Sequence, residues 1–198
     1  GKVVSITTFF VFPAAVGLFI LAPKAIHVLY GDSFAGSVLT VRVFVPIVII
    51  ECLGMFLAFL PIMTTGNEKQ RLPSSLLASI VNIVLNVILI PRFMQNGAAL
   101  ASVISRGLLN LYQFVVMRRI VRIPLSKKAF LQAISSSAIM GATLVIVIYI
   151  FKALHFSQLI QCILGTLVGI LVYIAINIKF KNEITLMLIK KITLREII

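Results

Sequence analysis

GNEKQRLPSSLLASIVNIVLNVILIPRFMQNGAALASVISRGLLNLYQFVVM, residues 66–117, holds two apolar runs separated by a few polar residues. The first, 72–90, is interrupted by serines and by Asn82 and Asn86. Pro91 ends it, Arg92 to Gly97 form a short polar loop, and the second run, 98–117, leads into Arg118 and Arg119. Each run is about 20 residues, the length an α-helix needs to cross roughly 30 Å of hydrocarbon. So short a loop joins antiparallel neighbours, and the stretch predicts a transmembrane hairpin.

The polar residues inside the hairpin carry the functional signal. Asn82 and Asn86 are four apart and share one helix face; Arg106 and Asn110 repeat that spacing on the second helix. At 1.5 Å per residue, Asn82 lies about 12 Å from the Pro91 end and Arg106 about 13 Å from Gly97, so the two sit at similar depth. A charged or amide group in lipid costs roughly 1–3 kcal/mol or more, so these side chains face protein or a wet cavity.

The rest of the chain has the same character. Of its 198 residues, 61% are hydrophobic and 12% charged, and the mean hydropathy is +1.15. A soluble domain of this size does not need so many long apolar runs. They are continuous and do not alternate, which excludes a β-barrel. The net charge of +13 raises the question of nucleic acid. Most basic residues, however, lie in loops flanking apolar runs, as in membrane proteins, and nucleic-acid binding is excluded on that ground. Cys52 and Cys162 fall within apolar runs at no motif spacing and read as small core residues.

Six spans are predicted, at about 4–22, 38–63, 72–90, 98–117, 130–151 and 158–178. The fold class is therefore all-α: a polytopic transmembrane bundle of six spans plus a C-terminal amphipathic helix. Pro13 and Gly17 interrupt the first span, and Tyr30, Gly31 and Asp32 mark a turn after it. The second carries Arg42, Pro46, Glu51 and Pro61. Gly165 and Gly169 in the sixth form a G-x-x-x-G pattern that permits close helix approach. The tail, 179–198, mixes Ile, Leu and Met with Lys190, Lys191 and Arg195; it is too charged to span, and predicts a basic amphipathic helix on the membrane surface. Thirteen of the 18 basic residues fall on the side that holds both chain ends, four on the other, and Arg106 lies within the membrane. That asymmetry predicts both ends to be cytoplasmic. The chain opens at Gly1 with neither an initiator methionine nor a signal-peptide pattern, which reads as the C-terminal part of a longer protein or a truncated product.

PAAVGLFILAPKAIHVLYGDSF, then a proline-containing helix ending in TGNEKQ, then NIVLNVILIPRFMQNGAALASVISR, resembles the C-terminal half of the polysaccharide (O-antigen) flippases. Their superfamily includes the MATE drug exporters and the lipid II flippases. The resemblance covers roughly residues 1–120. It implies two pseudo-symmetric six-helix lobes around a cavity, often followed by two more helices. On that basis residues 1–120 are four spans of the C-terminal lobe, 121–178 two additional spans, and 179–198 the basic tail; the N-terminal lobe is missing. It also implies transport of an undecaprenyl-pyrophosphate-linked oligosaccharide by alternating access across the bacterial cytoplasmic membrane. The alternatives are a cation-coupled drug exporter of the same superfamily and a non-transporting membrane scaffold. Arg92 to Asn96 replace the glycine-containing turn more usual before Gly97.

Arg106 is open to three readings. It can grip a pyrophosphate, since guanidinium binds phosphate oxygens in a fork. It can be neutralised by Glu51, which lies about 13 Å along its helix from Arg42, at matching depth. Or it can snorkel from a shorter helix. Glu51 is also a candidate proton or cation carrier. Asn82, Asn86 and Asn110 are candidates for the cavity, or for hydrogen bonds between helices. Tyr112 and Gln113 read as interfacial, and His27 and His155 as solvated. The chain carries no G-x-S-x-G, H-E-x-x-H or Walker A sequence, so no enzyme is predicted and no metal or cofactor is called for.

Overall fold

A computed structural model describes residues 2–66, 68–121 and 126–187. Six helices are long and apolar enough to cross a membrane: α1 (Lys2–Tyr30), α2 (Ser37–Thr64), α3 (Arg71–Phe93), α4 (Gln95–Ile120), α5 (Lys127–Ala153) and α6 (Gln158–Lys179). Among the described residues there is no strand. The fold is the all-α polytopic bundle expected. Of the tail, residues 183–187 are helical; residues 188–198, which hold most of the predicted surface helix, lie outside the described residues.

Two helix ends differ from expectation, both at prolines. α1 runs past Pro23 to Tyr30. A proline removes one N–H and bends the ladder, but neighbours in a membrane bundle tolerate it. The stop comes at Gly31, whose φ of +79° suits glycine and whose N–H bonds the His27 carbonyl at 3.0 Å. Likewise α3 continues through Pro91 to Phe93, and the loop expected at 92–97 shrinks to Met94. Met94 reverses the chain at φ 50°, ψ −128°, and its carbonyl accepts from Gly97 N at 3.1 Å and Ala98 N at 3.3 Å. Gly97 makes that tight turn possible. A Cβ there would stand 3.0 Å from Ile90 N and closer still to the Leu89 carbonyl.

The chain forms two compact units, one built from α2, α3 and α4, the other from α1, α5 and α6. In the first, α3 and α4 are antiparallel in a steady register. Asn82 Nδ2 donates to Ser105 Oγ at 3.0 Å, and two turns away Gln113 Nε2 donates to Ser74 Oγ at 3.0 Å. Gln113, read from the sequence as interfacial, is buried, because it faces Ser74 of α3. α2 runs parallel to α4, with Thr40 Oγ1 donating to Asn96 Oδ1 at 2.7 Å near their starts. α2 is not uniform. Met55–Phe59 form a π-helical turn that ends two residues before Pro61, whose ring and missing N–H disrupt the regular ladder. Arg71 lies over the Phe59 ring, 4.6 Å from its centroid, closing the turn between α2 and α3.

In the second unit small residues bring helices close. The Gly165–Gly169 stripe is a contact face: both are buried, a Cβ at Gly165 would meet Leu21 and Leu144 side chains at 3.3 and 3.4 Å, and one at Gly169 would meet Met140 Sδ at 3.9 Å. Gly141 of α5 packs against Val16 and Ile20 of α1. Phe9, Met140, Tyr173 and Ile184 form the apolar centre. Pro13 leaves the Phe9 carbonyl without its helical donor, and Tyr173 Oη donates to that carbonyl at 2.7 Å. Tyr173→Phe should therefore lower stability by about 1 kcal/mol, the scale of interhelical hydrogen bonds in membranes. Equilibrium unfolding in mixed detergent measures it, and an unchanged midpoint would show that the carbonyl needs no donor.

Candidate functional site

α4 carries the polar seam on two separate contacts, one with α2 and one with α3. α2 supplies Glu51, from a run of large apolar residues that keeps the helix in the membrane. α4 supplies Arg106 and Asn110 one turn apart, and α3 supplies Asn82 and Asn86 one turn apart. The parallel register of α2 and α4 sets Glu51 beside Arg106: Nε lies 3.6 Å from Oε1. The pair inferred from depth is therefore formed. It is not buried, however. The Arg106 side chain is 55% exposed and that of Glu51 45% exposed. One acceptor behaves otherwise: Glu51 Oε1 is itself sealed from solvent and accepts no hydrogen bond.

The amides divide between two tasks. Asn82 bonds Ser105, next to Arg106 in sequence, and accepts from Asn86 Nδ2 at 2.9 Å. The α3 amides thus form a ladder onto α4, and their hydrogen bonds bypass the Glu51 carboxylate. Asn86 Oδ1 is sealed and unpartnered. Asn110 Nδ2 donates to the Arg106 carbonyl at 3.1 Å, within its own helix, while its side chain fills the space left by Gly54. A Cβ on Gly54 would stand 2.9 Å from Asn110 Nδ2 and overlap the rest of the amide. Gly54 immediately precedes the π-helical turn, so a widened, glycine-marked segment of α2 lies against the turn of α4 that bears Arg106. π-bulges are frequent at functional sites.

Ser105 and Gly54 are the neighbours of the candidate residues that sequence reasoning missed. Ser105 carried a weak signal, standing beside Arg106 at the depth of Asn82. Gly54 carried none, because its partner is 56 residues away and only the α2–α4 register reveals it. Gly54→Ala should force the Asn110 amide to swing and break its bond to the Arg106 turn. The expected cost is about 1–3 kcal/mol, largely recovered in Gly54→Ala/Asn110→Ala; thermal unfolding of the purified variants reads both. Outside the seam, His27 pairs with Asp32 at the end of α1, and Cys52 and Cys162 are free and half-buried.

This is the layout of a multi-pass α-helical membrane protein with an intramembrane acid–base pair. The structure is similar to that of the lipid II flippase MurJ in its inward closed conformation, with a TM-score of 0.74 and 20% sequence identity over 91% of this chain. At that identity the likeness is one of fold. The chain spans 38% of the length of that protein. No protein-family model and no curated protein matches the sequence.

Proposed function

We propose that this chain is the C-terminal portion of a carrier that flips a lipid-linked oligosaccharide, of the O-antigen kind, across the bacterial cytoplasmic membrane. It acts as a transporter and not as an enzyme. Its lipid is undecaprenyl-pyrophosphate-linked, and its missing partner is an N-terminal lobe. The observation that carries the reading is Arg106: a guanidinium midway along a helix long and apolar enough to span a membrane, 55% exposed, on a fold similar to that of a lipid II flippase. A half-exposed arginine at that depth is costly in lipid and suits an anionic group inside a cavity. Glu51, Asn82, Asn86 and Asn110 form the rest of the cavity wall, with Asn82 and Asn86 fixing α4 against α3 and Asn110 fixing the Arg106 turn.

The test is reconstitution of the intact carrier in proteoliposomes with a fluorescent diphosphate-linked oligosaccharide lipid. Access of an external quencher or glycosidase should extend from one leaflet to both when the carrier is active. No change in the accessible fraction, with correctly folded protein, would reject the function.

Orientation has its own check. Basic residues cluster at the ends that hold Lys2, Lys127, Lys128, Lys179 and Lys181, so both chain termini belong in the cytoplasm. Reporter fusions after Lys128 and Lys191 should report cytoplasm, and one at Gln95 periplasm. A cytoplasmic signal at Gln95 would contradict the six-span orientation.

A further inference from the structure

In the second unit the seam between α1 and α5 ends in two lysines. A Cβ on Gly141 of α5 would meet Val16 and Ile20 of α1, and one on Gly165 of α6 would meet Leu21 of α1 and Leu144 of α5. These contacts set α1 and α5 parallel and fix the faces they turn to each other. On α1 that face runs from Val16 through Ile20 to Lys24, four residues at a time. On α5 it runs from Gly141 through Ile148 to Lys152. Lys24 stands about 5 Å beyond Leu21, and Lys152 about 12 Å beyond Leu144, a difference that flexible lysine stems bridge. Lys24 is half-buried, and its ammonium is partly desolvated and within electrostatic reach of Lys152. Among the described residues neither lysine has a counter-charge. Asp32, the acid at that end of the unit, is paired with His27. The amide oxygens of Gln158 and Gln161, at the start of α6 and the same end, accept no hydrogen bond, so the ammoniums do not turn inward to them. Both lysines stand just past their apolar runs, 4–22 and 130–151, at the depth of lipid headgroups.

The geometry points to a site for one anionic phospholipid at the end of this unit away from Lys2 and Lys179, its phosphate shared by Lys24 and Lys152. Two uncompensated ammoniums repel each other, the more so where water is partly excluded. A phosphate between them reverses the sign of the interaction, with one non-bridging oxygen accepting a charge-assisted hydrogen bond from each. A net-negative headgroup such as phosphoglycerol suits the pair. Phosphocholine carries its own cation, which the second lysine repels. The bound lipid clamps α1 to α5 at this end, and the site is independent of the substrate carried.

The test is thermal unfolding of the purified chain in nanodiscs of phosphatidylcholine, with and without phosphatidylglycerol of the same acyl chains. In phosphatidylcholine alone, Lys24→Gln and Lys152→Gln should each raise the midpoint by about 2–4 °C, because each relieves the repulsion. With phosphatidylglycerol present, each should lower it by about 2–4 °C. The double variant should then cost no more than either single one, since the two lysines share one phosphate. Inorganic phosphate added to the phosphatidylcholine discs should reproduce none of this. A change of the same sign in both membranes, or no change in either, would overturn the site. Effects that add in the phosphatidylglycerol discs would mean two separate lipids and overturn the shared phosphate. A reversal of sign brought about by inorganic phosphate would overturn the lipid as occupant.

Discussion

Arg106→Gln should lower flipping by the intact carrier about 10- to 100-fold, because its guanidinium would lose a charge-assisted hydrogen bond to the diphosphate. A charge-assisted hydrogen bond contributes about 1.5–3 kcal/mol, which is a factor of about 10 to 100 or more. The stability cost should be smaller. Removing one partner of a buried pair typically costs about 3–5 kcal/mol, but here both side chains are about half exposed, which pulls the value toward the 0–1 kcal/mol of exposed pairs. Transport and stability should therefore separate. The charge-swapped double variant, Glu51→Arg with Arg106→Glu, distinguishes the roles. A structural pair would recover activity in the swap. A phosphate-gripping Arg106 would not, because the cation now projects from α2. Proteoliposome flipping with parallel thermal unfolding is the measurement, and the expected result is a folded, inactive double variant.

Gly97→Ala should be the most damaging single methyl group in the first unit, at about 3 kcal/mol. The added Cβ runs into the Leu89 backbone carbonyl, which cannot rotate away as a side chain can. Relief requires opening the Met94 turn and with it the α3–α4 register. Overpacking commonly costs about 1–3 kcal/mol, and a backbone obstruction belongs at the upper end. Gly107→Ala is the control. Its nearest neighbour would be Ile50 Cδ1 at an ordinary 3.8 Å, and alanine favours a helix interior over glycine by about 1 kcal/mol. Gly107→Ala should therefore be neutral or stabilising in the same unfolding series. A Gly97→Ala variant as stable as Gly107→Ala would show that the hairpin turn is not set by backbone contact.

These effects bear on what a sequence can convey for such a chain. The six spans were legible because each apolar run matches the membrane thickness. The Glu51–Arg106 contact was legible because two charges at equal depth in hydrocarbon have few alternatives. Helix ends were not. Pro23 and Pro91 looked like stops, yet a single missing N–H leaves a membrane helix intact when neighbours support it. The exposure of the pair was also hidden, since depth along a helix says nothing of which face it occupies. Gly54 against Asn110 and Tyr173 against the Phe9 carbonyl needed inter-helix register, which composition does not encode. Pro13 was legible as an interruption of the first span; the donor that meets the Phe9 carbonyl, 164 residues away, could not be read.

The most direct test of the phosphate-binding role of Arg106 is native mass spectrometry of the purified chain with undecaprenyl diphosphate and undecaprenol at equal concentration. The expected result is preferential retention of the diphosphate lipid by the unmodified chain, reduced at least tenfold in Arg106→Gln, with the weaker undecaprenol binding unchanged. Equal retention of the two lipids, or retention of the diphosphate lipid that Arg106→Gln does not alter, would contradict it.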